Sequence, residues 1–439
     1  MTRQSFSNLV LLAVAFASGA IPSVAQTETV IHSFQSTSVY DGISPLSGVV
    51  ADKHGALYGT TPAGGRYHAG TVYKLAPPVV QGGAWKQNLL YSFTGGSDGG
   101  YPSGALVLGD GGRIYGTTQR GGGAESCGVV YELSPPTKSG SAWSETVLYS
   151  FCSTTGDGTD PVAGVISDSN GRLYGTTYKG GFHEAGNVFR LSPPAQHSGA
   201  WTNRVLYSFK SAIDGMLPSP GGLTLDETGA LYGTLQYSEE DGVNAGSVFQ
   251  LSHPSGGSGA WTESVLYAFS VPADGYGPIG APVFDNSGVL YGATAEGGQY
   301  GAGNVFSLTP PAVQGGAWTE VVLYSFMGLG DGYIPDSGLV IDGTGALYGV
   351  TYNGGIQSCG GNDSGCGTAY KLSPPSTQGG AWTEETVHSF AGGSDGAYPA
   401  ALLLLLGTTL YGTTTMGGTG NCQGPEGPIG CGTVFQITQ

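Results

Sequence analysis

The residues best suited to chemistry in this sequence are aspartates on a strict spacing. Asp-Gly-x-x-Pro recurs with its acid at Asp41, Asp98, Asp157, Asp214, Asp274, Asp331 and Asp395. Carboxylates in one repeated register could hold a cation, because hard ions such as Ca²⁺ take oxygen ligands. The same motif is also turn chemistry: Asp accepts backbone N–H bonds, Gly permits positive φ, and Pro fixes the start of the next strand. Turn chemistry is the first expectation and Ca²⁺ the alternative; no other cofactor is expected.

A second group of candidates breaks the repeat. His68 and His183 occupy equivalent loops, and a third loop carries Ser238-Glu239-Glu240-Asp241. If these loops converge, His68, His183, Glu239, Glu240 and Asp241 form a ligand-binding mouth, with the minimum of groups for acid/base chemistry on a polysaccharide or a small lactone. No His-Glu-x-x-His, nucleophile elbow, phosphate loop or dinucleotide fingerprint occurs. Catalytic residues therefore stay unassigned, and the reading leans away from an enzyme.

The six cysteines pair locally. Cys359 with Cys366, and Cys422 with Cys431, each fall within one loop, whereas Cys127 opens one strand and Cys152 follows its neighbour. Adjacent strands in that register bring the last two within bridging distance. Three disulfides are expected, in preference to a zinc site, for which the His spacing is wrong.

These groups sit on a repeat. Leu/Ile-Tyr-Gly occurs at Tyr58, Tyr115, Tyr174, Tyr232, Tyr291, Tyr348 and Tyr411, about every 58 residues. Each unit carries four short β-type runs, strands a to d. In the second unit they are Ala105 to Leu108, Ile114 to Thr118, Val129 to Leu133 and Thr146 to Phe151. Asp-Gly-x-x-Pro lies in the d–a connection. Aspartates in the a–b turns, such as those in Asp52-Lys53-His54-Gly55 and Asp226-Glu227-Thr228-Gly229, lack the further acidic ligand of a Ca²⁺ loop and read as tight turns.

Four-stranded sheets repeated seven times predict an all-β, seven-bladed β-propeller, since radial repetition hides sheet edges. The d–a and b–c connections then share one face, here the upper face. The chain after residue 25 begins with a d-type run, Val30 to Phe34, and stops at a c-type run, Thr433 to Ile437. The N-terminal strand is therefore expected to complete the last blade. Six tryptophans, Trp85, Trp143, Trp201, Trp261, Trp318 and Trp382, mark six c–d connections, and the seventh is where the chain is cut.

Composition excludes some partners. The formal charge is −17 with only 14 Lys and Arg, and no basic cluster exists to bind phosphates. Residues 1–25 read as a signal peptide, with Arg3, an apolar run from Leu9 to Ala17, and Ser23-Val24-Ala25 as the cleavage site. Residues 26–439 are then one propeller domain, without a transmembrane segment, secreted or periplasmic and monomeric.

The ordered set Leu-Tyr-Ser-Phe, Asp-Gly-x-x-Pro, Asp-x-x-Gly-x-Leu-Tyr-Gly-Thr-Thr, Gly-Thr-Val-Tyr-Lys-Leu-Ser-Pro-Pro and Gly-Gly-Ala-Trp resembles the GloVer tandem-repeat family, the choice-of-anchor tandem repeat proteins. The resemblance runs from about Val30 to the C-terminus. It implies an exported bacterial surface or secreted protein and brings no catalytic residues. More distantly, the Asp-x-x-Gly-x-Leu-Tyr run looks like blades of NHL-type and sugar-lactonase-type propellers, an analogy of fold. The leading expectation is a non-catalytic module that binds a glycan, peptide or extracellular protein on the upper loops. The alternatives are a propeller hydrolase, lyase or lactonase, and an envelope scaffold.

Overall fold

Every repeat folds into one antiparallel sheet whose strands follow chain order. The computed structural model describes residues 26–439 apart from 37, 39, 81, 139, 196–198, 211–214, 238–244, 255–258, 271–272, 314, 329, 356–358, 360–363, 378 and 425–426. The expected signal peptide, Asp214 and the Glu239 to Asp241 loop lie outside the described residues. In the second blade strand a is Val107–Leu108, b Ile114–Thr118, c Val129–Ser134 and d Ser144–Ser150. Strands b and c are buried along most of their length, whereas strand d alternates exposed and half-buried residues at its start, as an outer strand should.

One register fault repeats in all seven sheets. In each c–d pair strand d carries an extra residue, such as Leu148 between the Val130–Tyr149 and Tyr131–Val147 partners. A β-bulge of this kind sharpens local twist, which a propeller blade needs. The seventh blade obeys the same rule although its strands come from opposite ends of the chain. Thr27–Ser33 pairs with Thr433–Thr438, with its shift between Val30 and His32. The ring closes as the chain ends predicted.

Two contacts join every blade to the next, and a third recurs at four of the seams. The first is aromatic: the Phe that follows strand d meets the central aromatic of the next blade's strand c edge to face. The pairs are Phe34–Tyr73, Phe93–Tyr131, Phe151–Phe189, Phe209–Phe249, Phe269–Phe306, Phe326–Tyr370 and Phe390–Phe435, with centroids 4.9–5.2 Å apart. The Gly of Leu-Tyr-Gly makes room for that ring; at Gly175 a Cβ would lie 2.6 Å from Phe189 Cζ.

The second contact latches the upper face. The Pro of Asp-Gly-x-x-Pro docks on the glycine that opens strand c of the preceding blade, Pro335 on Gly303 for example, where a Cβ would lie 2.5 Å from Pro335 Cδ. Beside it, the residue before the Pro donates its N–H to the preceding blade, as Ile334 does to the Ala302 carbonyl at 3.2 Å. That residue adopts positive φ in every blade: Ser44, Tyr101, Asp160, Leu217, Gly277, Ile334 and Tyr398, at 53–63°. The third contact uses the first Thr of Thr-Thr, as when Thr117 Oγ1 donates to the Ala163 carbonyl at 2.7 Å.

The tryptophans pack rather than project. Trp85, Trp201 and Trp382 each meet the Leu-Tyr-Gly tyrosine of the preceding blade, Tyr411, Tyr115 and Tyr291, at about 6 Å. The a–b turns are tight turns: Asp226 Oδ1 accepts from Thr228 and Ala230 N–H, and its Oδ2 accepts from Tyr232 Oη. All three disulfides form as the spacing suggests, Cys127–Cys152, Cys359–Cys366 and Cys422–Cys431.

The latch yields a prediction. Gly303→Ala meets Pro335 Cδ and the Thr294 carbonyl, each 2.5 Å from the new Cβ, at a φ of 93°. It should destabilise the protein by about 2–4 kcal/mol in urea unfolding, whereas Gly343→Ala, in an open turn with nothing within 4 Å, should change stability little.

Candidate binding channel

The short a strands stop the sheets before they meet on the axis. They approach one another at glycines, as at Gly104 beside Gly164 and Gly221 beside Gly280. What remains is a central channel of about 980 Å³, walled by segments of all seven blades. Its walls are apolar, with Leu46, Val49, Val162, Ile279 and Leu402 among them, and Leu402 is 43% exposed although it lies within the ring.

Polar groups gather at the upper end, where strand a begins and strand b ends. Gln119, Tyr178, Gln236 and Asp336 line the channel there. Gln119 Nε2 donates to Ser103 Oγ at 2.9 Å, and Ser103 Oγ donates to the Val162 carbonyl at 3.0 Å, so part of the mouth is fixed by a short relay. Asp336 is the only carboxylate, and no Lys, Arg or His accompanies it, among the described residues of the lining. Burial alone pushes its carboxyl up to about 7. Nearby, Tyr352 and Tyr398 stack with centroids 4.9 Å apart and planes 26° apart, and Thr415 Oγ1 holds the Tyr398 carbonyl at 3.0 Å. Burial first, then the Asp336 charge, raises the Tyr352 phenol.

The repeated aspartates among the described residues sit outside this channel, each engaged with its own loop. Asp157 accepts from the N–H groups of Cys152, Ser153 and Thr154 and from Tyr149 Oη at 2.6 Å. Asp98, Asp274 and Asp331 repeat the pattern with Tyr91, Tyr267 and Tyr324. At Asp41 and Asp395 a histidine, His32 or His388, replaces the tyrosine.

A second acid approaches several of these loops across the seam from the next blade. Glu145, Glu320 and Glu384 in strand d are pushed up to about 7, chiefly by burial, with Asp98, Asp274 and Asp331 adding to the shift. Each Glu therefore holds a proton up to near-neutral pH.

His68 and His183 are both exposed on b–c loops, and neither lines the channel. Their loop neighbours Tyr67 and Phe182 are also exposed, at 49% and 65%. Sequence reasoning missed Asp336. The signal was available in the residue after each Asp-Gly-x-x-Pro: Leu46, Ser103, Val162, Ser219, Ile279, Asp336 and Ala400, one acid among small and apolar side chains.

Fold and channel together define a seven-bladed propeller with an axial cavity. The sequence matches the Gloeobacter/Verrucomicrobia repeat over residues 15–242 and 144–362, and the chain belongs to that family. No curated protein is significantly similar to it in sequence. Among solved structures, it is similar to a Bacteroides uniformis protein provisionally assigned as a 6-phosphogluconolactonase (14% identity, 83% of this chain and 96% of that one, TM-score 0.49). It is also similar to the PQQ-bound aldose sugar dehydrogenase of Streptomyces coelicolor (11% identity, 95% and 99%, TM-score 0.42). A third is the calcium structure of a Trichoderma reesei carbohydrate-active enzyme of family AA12 (11% identity, 95% and 96%, TM-score 0.43). These likenesses are distant, and the fold of this chain rests on its own strand pairing.

The raised carboxyls set a pH dependence. A folded-state pKa near 7 against ordinary values of 3.8 and 4.5 means that Asp336, Glu145, Glu320 and Glu384 favour folding most below about pH 4.5. That contribution is lost as the pH rises through about 7. The wild-type melting temperature should fall between pH 5 and pH 8, and Glu145→Gln with Glu320→Gln and Glu384→Gln should flatten the fall. Asp336→Asn should raise the melting temperature at pH 8 and leave it nearly unchanged at pH 5.

Proposed function

We propose that this protein is an exported, non-catalytic binding propeller that takes its ligand into the upper mouth of the central channel. The observation that carries the reading is the channel itself: about 980 Å³ of mostly apolar wall with a few polar groups at one end. Ligand sites have this build, an apolar cavity in which a small number of placed polar groups fix orientation. The ligand has a narrow apolar portion that enters between the a strands and a hydrogen-bond-donating or cationic head that meets Asp336, Gln119 and Gln236. A peptide with an apolar side chain, or the apolar face of a glycan, fits that description.

The uneven distribution of ionisable groups supports binding over turnover. General acid/base hydrolysis needs two groups that reach one substrate atom, and the described lining offers one carboxylate. Export is supported by the N-terminal apolar run and by three disulfides, which persist in oxidising compartments. Among the described residues no helix is long and apolar enough to cross a membrane.

The test uses a plug. Ala105 is exposed and lines the channel, so Ala105→Trp places an indole in the channel and obstructs it. The neutral fluorophore N-phenyl-1-naphthylamine should brighten with the wild type and not with Ala105→Trp. On glycan and peptide arrays, wild-type hits should vanish with the plug and weaken with Asp336→Asn. Robust hydrolase activity that survives the plug, with no array binding, would refute the proposal.

A further inference from the structure

One blade seam carries a set of donors found at no other described seam. Where most aspartates of Asp-Gly-x-x-Pro receive a tyrosine hydroxyl, Asp395 faces an imidazole: His388 Nε2 lies 3.1 Å from its Oδ1 and 3.3 Å from its Oδ2. Glu28, from the N-terminal strand that closes the ring, completes the group. Single donor atoms of Glu28, His388 and Asp395 all lie within 4.8 Å of one another. Donors held about 2.1 Å from a tetrahedral ion are roughly 3.4 Å apart, so a small contraction would suffice.

We propose that Glu28, His388 and Asp395 bind a divalent transition-metal ion of the Zn²⁺ class, and that this ion fastens the N-terminal strand to the ring. Two carboxylates and a neutral imidazole supply the charge and the mixed O/N donors that such ions take, with one position left for water. A second observation points the same way: two carboxyls meet beside the imidazole, Glu28 against Asp395, and the Glu28 Oε1 is buried with no donor reaching it. The side chains of His388 and Asp395 are each 22% exposed, which gives an ion access from solvent. The Ala391 N–H, 2.6 Å from Asp395 Oδ2, holds that carboxylate in place.

The protein contains its own controls. An orphaned Oε1 recurs on Glu145 and Glu320, but there the third group is Tyr91 or Tyr267, whose hydroxyl is a donor to the aspartate rather than an imidazole lone pair. At the seam between the seventh and first blades the histidine is present as His32, but Gln87 replaces the second carboxylate, its Nε2 3.2 Å from Asp41 Oδ1. Ca²⁺ fits less well, since it takes six to eight oxygen ligands. The site lies outside the central channel and is independent of the binding role proposed above.

The test uses the full mature chain, stripped with chelator and titrated with Zn²⁺ by calorimetry, with thermal melts in parallel. Wild type should bind Zn²⁺ at this site and melt several degrees higher in saturating Zn²⁺. His388→Tyr and Glu28→Gln introduce residues that the protein already uses at equivalent positions, Tyr324 and Gln87. Both should fold, lose the Zn²⁺-dependent rise, and bind Zn²⁺ more than about tenfold more weakly. His32→Tyr should keep the rise. The proposal is overturned if wild type shows no Zn²⁺-dependent rise, if His388→Tyr retains it, or if Ca²⁺ produces the same rise.

Discussion

The edge-to-face contact between one blade's Phe and the next blade's strand-c aromatic is the interaction on which the rest of this structure depends. It recurs seven times at nearly constant distance, including Phe34–Tyr73, which joins blades on either side of the chain ends. A pair of this geometry contributes about 0.5–1.5 kcal/mol beyond area burial. Seven of them reach the order of the whole net stability of a folded protein, roughly 5–15 kcal/mol. The glycine of Leu-Tyr-Gly follows from this contact, because any side chain there would strike the ring.

The channel is a consequence of the same packing. With aromatic rings filling the space between blades, the a strands approach one another only where Gly104, Gly164, Gly221 and Gly280 let their backbones come close. Seven such strands cannot all reach the axis. The space left over is apolar because its walls are the inner faces of strands, and its polar end is set by where strand b gives way to its loop. Asp336 is costly there, as its raised carboxyl shows, and a ligand that donates to it would offset that cost.

Much of the fold was legible in the residues. The c-type end and d-type start foretold the closing pair, and local cysteine spacing foretold the disulfides. The site was less legible, for a physical reason. Repetition draws attention to residues that every blade shares, and those residues serve the seams: Asp157 and Asp331 hold their own loops. Asp336 stands at a position where side chains vary freely. Contacts between segments distant in sequence, such as Glu28 with Asp395, leave no mark in a repeat pattern. His68 and His183 stood out because they broke the pattern, yet both lie on exposed loops away from the channel wall.

A ring held by equivalent seams has no weak blade, even where the chain begins. Hydrogen exchange tests this most directly, by comparing amides of Thr27–Ser33 with those of the internal outer strand Ser144–Ser150. Comparable protection is the predicted result, with both strands exchanging through the same global opening. Exchange of Thr27–Ser33 faster by orders of magnitude would show an N-terminal strand that only rests on the seventh blade, and would contradict the closed ring.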